Sequence, residues 1–132
     1  MKNISKIILF TMLLYSCSHL SEGEKIIQNK SAKDIKVKVL KKQYKNEVGN
    51  SVVIMSGREG SIWKLVSKSG PIFRNKEECV DTFIDSIIIE IVGDTQLKIS
   101  KNLNNRNNWT FSKSELDTEC RAIIYDSDII PK

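Results

Sequence analysis

The chain has 132 residues, with 21 Lys and Arg against 16 Asp and Glu and a formal charge of +5. That length holds one compact domain. The basic excess is dispersed: Lys36, Lys38, Lys41 and Lys42 lie near Asp34 and Glu47, and Lys76 precedes Glu77 and Glu78. A nucleic-acid binder carries a basic stripe with interleaved aromatics, so no nucleic-acid partner is expected.

The chain opens on an export pattern. Lys2 and Lys6 form a positive head, Ile7 to Tyr15 form an apolar run, and Ser16 is a small residue at a cleavage position. The run is about half the length needed to cross the hydrocarbon core of a bilayer, so a lasting transmembrane helix is not expected. Leu14-Tyr15-Ser16-Cys17 resembles the lipobox of bacterial lipoproteins. The resemblance implies removal of residues 1–16 as a signal peptide and a diacylglyceryl group on the Cys17 sulfur. It also implies a lipid bilayer as partner and a place in the bacterial cell envelope. By analogy with enteric sorting, Ser18 rather than Asp after the Cys leans toward the outer membrane. Each buried methylene contributes about 0.8 kcal/mol, and two or more acyl chains hold durably where one does not.

Residues 17–24 are mostly small and polar and read as a lipidated tether. Residues 25–132 then form a single β-rich domain. His19, in the tether, is the one His of the chain. Within the domain, Cys79 and Cys120 are the two Cys, and an even pair in an exported domain is expected to form a disulfide. Closing that loop stabilises by roughly 4 kcal/mol in the chain-entropy view. The alternatives are weaker. A zinc site wants four ligands and a catalytic Cys wants a His base, and neither has one in the domain. No metal and no cofactor are expected.

The strands follow in order. Glu24 to Gln28 is a first candidate. Ile35, Val37 and Val39 alternate with Lys36 and Lys38, which gives one apolar and one wet face. A turn at Gly49-Asn50 precedes Ser51 to Met55, and a turn at residues 56–60 precedes Ser61 to Val66, with Ser69-Gly70-Pro71 ending regular pairing. Residues 72–82 fit either one helical turn capped by Asn75 or a loop. Phe83 to Val92 and Gln96 to Ser100 read as a hairpin. A three-residue loop, Gly93 to Thr95, pairs Ile91 with Leu97, Ile89 with Ile99 and Glu90 with Lys98. The Asn-rich stretch 102–108 is a loop. Trp109 to Phe111 and Cys120 to Tyr125 are further strands, and Asp126 onward reads as a fraying tail. About seven short strands with frequent turns predict an all-β fold, a small antiparallel sandwich or barrel. The stretch from Asp85 to Asp126, with its Ile run, Gly93-Asp94 turn, Asn-rich loop, Trp109 and closing Tyr125-Asp126, resembles small lipoproteins of Bacteroidota. That pattern implies a sandwich domain and transfers no catalytic residue.

Functional signals are sparse. Glu77, Glu78, Asp81 and Asp85 cluster in sequence, but a glycosidase needs two acids facing each other across a cleft, and acids beside Lys76 fit a solvated loop. Trp63, Trp109, Phe73 and Tyr125 fit a core. An exposed Trp109 beside Arg106 would make a binding loop, because Trp and Arg are enriched at binding hot spots. The expected function is a membrane-anchored, non-enzymatic accessory or binding module with an envelope protein partner. The alternatives are a periplasmic inhibitor of a wall-degrading enzyme and a small hydrolase using loop carboxylates.

Overall fold

A computed structural model describes residues 19–41, 48–81 and 84–132. Among them are nine strands: β1 (Ser21–Asn29), β2 (Ile35–Lys41), β3 (Val48–Ile54), β4 (Glu59–Ser67), β5 (Ile84–Ile91), β6 (Leu97–Ile99), β7 (Thr110–Ser114), β8 (Asp117–Ile124) and β9 (Ile129–Pro131). A short helix, α1 (Glu78–Asp81), precedes β5. The strands form a four-stranded sheet of order β4-β1-β8-β7, a three-stranded sheet of order β3-β2-β5, and the pair β6-β9. This is a small all-β sandwich.

The two-residue period builds both layers. Ile35, Val37 and Val39 of β2 and Thr118, Cys120, Ala122 and Ile124 of β8 are buried, while the residues between them face outward. Ile27, Ile54, Ile62, Phe73, Leu103 and Trp109 complete the core between the layers. Each fully buried Ile or Phe contributes about 1.5–3 kcal/mol. In β1 the alternation slips: Lys25, Ile26 and Ile27 are all buried, and a bulge against β4 falls between Lys25 and Ile26.

Several expectations are corrected. The first strand begins at Ser21, so residues 21–24 belong to the sheet and not to a tether. Ser21 is buried, and its Oγ donates to the carbonyls of Ser67 and Gly70. At Gly23 an added Cβ would lie 2.3 Å from Ile72 Cβ, so only glycine fits there. The four-stranded sheet is mixed rather than antiparallel, because β1 runs parallel to β8 with Gly23 opposite Thr118 and Ile27 opposite Ala122. A parallel pair needs a long crossover, and the intervening strands supply it.

The β5–β6 hairpin is also replaced. β5 pairs with β2, placing Ile91 opposite Ile35, Ile89 opposite Val37 and Glu90 opposite Lys36. Lys38 Nζ lies 2.7 Å from Glu90 Oε1 and takes the role expected of Lys98. The alternating charges of β2 suit Glu90 as well as those of β6 do, and β2 offers a longer ladder. β6 pairs instead with β9, so the segment after Asp126 is a turn and a strand rather than a frayed tail. Residues 72–82 contain the single helical turn α1. Asn75 Oδ1 accepts from Glu78 N at 3.3 Å, and Glu78 Oε2 accepts from Arg74 N at 2.7 Å.

Cys79, in α1, is bonded to Cys120, in β8, with their Cα atoms 5.5 Å apart. The disulfide ties the connection between the layers to the four-stranded sheet.

Candidate functional site

The expected binding loop loses its aromatic residue. Trp109 is only 2 % exposed, and its Nε1 donates to Leu103 O at 2.8 Å. A residue at the mouth of a polar loop became core because the indole N–H found a backbone acceptor. The asparagines serve the loop itself. Asn102 Oδ1 accepts from Asn104 N, Asn105 Oδ1 from Asn107 N, and Asn108 Nδ2 donates to Asn102 O. Arg106 is exposed, 3.7 Å from Glu77 Oε1, over an open depression of about 420 Å³ shared with Val80 and Asn104. The loop carboxylates have separate tasks: Glu77 faces Arg106, Glu78 holds Arg74 N, and Asp85 is exposed on β5. The side chain of Asp81 and the proposed lipidation residue Cys17 lie outside the described residues.

Of the other aromatics, Phe73 is buried and Trp63 partly so, with ring centroids 5.4 Å apart. Beside both lies Lys25, fully buried, with Nζ 5.4 Å from the Phe73 ring and 5.9 Å from the Trp63 ring. The aromatic faces offset part of the cost of burying the ammonium.

One end of the four-stranded sheet gathers acidic side chains. At the end where β1 begins, Glu22, Glu24, Asp117 and Glu119 surround a depression of about 190 Å³. Lys64 Nζ is 2.9 Å from Glu22 Oε2, and this hydrogen bond holds the Lys64 pKa above its ordinary value. His19 lies 3.6 Å from Glu115, so the chain enters beside the β7–β8 turn. Further along, Arg121 is clamped by Glu119 at 2.7 Å and Glu59 at 2.5 Å, which holds the guanidinium still more firmly in its charged form.

The other end is a set of loops locked together by small polar side chains. Asn29, at the end of β1, is buried, and its Nδ2 donates to Lys33 O at 2.8 Å and Ile54 O at 3.1 Å. Its Oδ1 accepts from Ser31 N at 3.1 Å and Ser31 Oγ at 2.7 Å, so the amide's bonding capacity is filled. Ser56 Oγ donates to Ser31 O, and Asp34 Oδ1 accepts from Ser56 N. Asp34 O accepts from Val92 N, and Asp126 Oδ1 from Ala32 N. Loops 30–34, 55–58 and 125–128, with Val92 at the end of β5, are therefore joined by hydrogen bonds across both layers.

On its outside this tip carries Met55 at 61 %, Val92 at 46 % and Tyr125 at 43 % exposure. Lys30, Lys33 and Arg58 are exposed among them. The Lys30 and Lys101 ammoniums lie 5.8 and 5.3 Å from the Tyr125 ring centre, and Lys101 is fixed by Asp128 at 2.9 Å. Exposed Met, Tyr and Arg on a rigid base match the residue types enriched at protein interfaces, and a base that is already ordered reduces the entropy lost on binding. The turn signal at residues 56–60 located one of these loops in the sequence. Nothing local announced that it would meet residues 30–34 and 125–128.

Among the described residues no group of three or more His, Cys, Asp or Glu is arranged to hold a metal. No family model matches the chain, and neither a curated protein nor a solved structure is significantly similar to it.

Proposed function

We propose that this chain is a lipid-anchored, non-enzymatic binding module of the bacterial envelope that presents its locked loop tip to a protein partner. The observation that carries the reading is the hydrogen-bonded lock centred on Asn29, beneath exposed Met55 and Tyr125. Chain direction supports it. Ser21 follows the lipobox-like Cys17 by four residues, and Asn29 lies about 26 Å from Ser21 along β1. An anchor at Cys17 therefore leaves the tip at the end farthest from the membrane. The outer membrane is the favoured location, on the Ser18 argument.

Two measurements test this. Labelled fatty acid enters the full chain and is lost in Cys17→Ala, which also moves from the detergent phase to buffer; equal labelling of both proteins, or of neither, refutes the anchor. A photocrosslinking residue at Met55 in intact envelopes yields a discrete protein adduct, and one at Ser114, at the opposite end, does not. Matching patterns from the two positions refute the tip.

A further inference from the structure

Leu20, Leu65 and Val66, each at least 40 % exposed, stand at one corner of the four-stranded sheet. Leu20 directly precedes β1, where Ser21 pairs with Ser67, Glu22 with Val66 and Gly23 with Leu65. β4 is the outermost strand of its sheet, with β1 as its one hydrogen-bonded neighbour among the described residues. Successive residues of a strand point to opposite faces, so Leu65 and Val66 leave this edge apolar on both sides. The corner is fixed to the start of β1. Ser21 is buried, and its Oγ stands within hydrogen-bonding reach of both Ser67 O and Gly70 O. Lys68, in the loop so held, is exposed.

An apolar strand edge open to water is an association hazard, and the chain's direction decides what covers this one. Two copies joined antiparallel along β4 would point their β1 strands in opposite directions, which two chains held on one membrane cannot do. The bilayer itself is close. Three residue steps separate Cys17 from Leu20, at most about 11 Å of extended chain. Interfacial apolar surfaces bed about 5–10 Å into the boundary between headgroups and acyl chains. Acyl groups on Cys17 therefore keep the corner at a high effective concentration beside that boundary, where even a weak contact is populated.

We propose that the corner formed by Leu20, Leu65 and Val66 beds in the bilayer that holds the anchor, with Lys68 reaching to headgroup level. This inference rests on the lipid-anchor part of the reading above and not on the tip. The contact is apolar rather than electrostatic, because the same end of the sheet carries Glu22, Glu24, Asp117 and Glu119. Those carboxylates, and Glu115 in the β7–β8 turn beside His19, keep their water. The sheet therefore leans toward its β4 edge and lifts the β7–β8 turn away from the lipid.

The test uses the full lipidated chain, isotope-labelled, in nanodiscs of zwitterionic lipid doped with a lipid spin-labelled at its headgroup. The amides of Leu65 and Val66 are broadened at least about twofold more than those of Glu115 and Leu116, as a bedded edge requires. Tether proximity alone predicts the reverse, since His19 lies beside Glu115. Leu65→Gln with Val66→Thr, both at exposed positions, abolishes the difference while the amide shifts of Asn29 and Met55 stay in place. Equal broadening of the two pairs, stronger broadening of the turn, or a difference that survives the double change overturns the proposal. Fatty-acid labelling is read separately. A chain that takes up no label loses the anchor and this contact together, whereas a labelled chain without the asymmetry loses this contact alone and leaves the Met55 adduct untouched.

Discussion

Asn29 shows how a single side chain decides the state of several loops. Removing its amide in Asn29→Ala leaves Ile54 O and Ser31 N without their side-chain partner in a buried site, while Ser31 Oγ and Lys33 O keep each other. Each buried polar group left unsatisfied costs about 1–3 kcal/mol. Denaturant titration should show a total loss of about 2–4 kcal/mol, with faster exchange across residues 31–34 and 55–58. Glu90 gives a pH signature of opposite origin. The hydrogen bond from Lys38 is the largest cause holding its carboxyl below the ordinary range. A depressed folded pKa contributes stability that is present above the unfolded value of about 4.3 and is lost as pH falls through the folded value. Glu90→Gln should therefore lower stability slightly above pH about 4.3 and flatten the acid limb, the two proteins converging at low pH, as thermal melts across that range would record. Neither role was legible beforehand. Asn29 read as the residue after a strand, and Glu90 read as the partner of Lys98. Lys25 was hidden for the same reason, since a lysine in a strand reads as a solvated position until two aromatic rings from other segments close over it.

The elements most legible in the sequence were those set by local alternation. β2 was placed by its alternation, β5 by its run of β-branched residues and β8 from Cys120 onward, and α1 was anticipated as one of two readings through Asn75. Their partners were not legible, because register depends on which strands meet and several strands carry compatible patterns. The β5–β6 hairpin satisfied every local rule, yet β5 found a longer ladder on β2. β9 was missed because three residues are too short to show a period. Its role can be checked by deleting residues 129–132. β6 then has no ladder partner, and the amides of Lys98 and Ser100 should lose exchange protection while those shared by β2 and β5 keep theirs. Retained protection at Ser100 would show that β6 holds its place without β9.

At the scale of the whole molecule the disulfide joins parts that sequence order separates. Cys79 and Cys120 are both fully buried and lie 41 positions apart in sequence. Reduction should lower stability by about 2–5 kcal/mol, read as a shift in the guanidinium midpoint with and without reductant. The pairing was legible from cysteine arithmetic, and the all-β class from strand count and turn spacing. The tip was not, since its loops are distant in sequence and converge only when both layers stack. The acidic cluster at the opposite end was equally hidden, because Glu22 and Glu24 meet Asp117 and Glu119 only through the parallel pairing of β1 with β8.

That parallel pairing also sets an order of events. Among the described strands the first borders the eighth, so β1 keeps one flank open until the segment from Asp117 joins it. Chain closure between such distant segments is slow, and an interrupted product ending before Asp117 lacks both that neighbour and the second sulfur. The order of docking is thus written into the architecture: until the segment from Asp117 arrives, β1 is enclosed on one side alone.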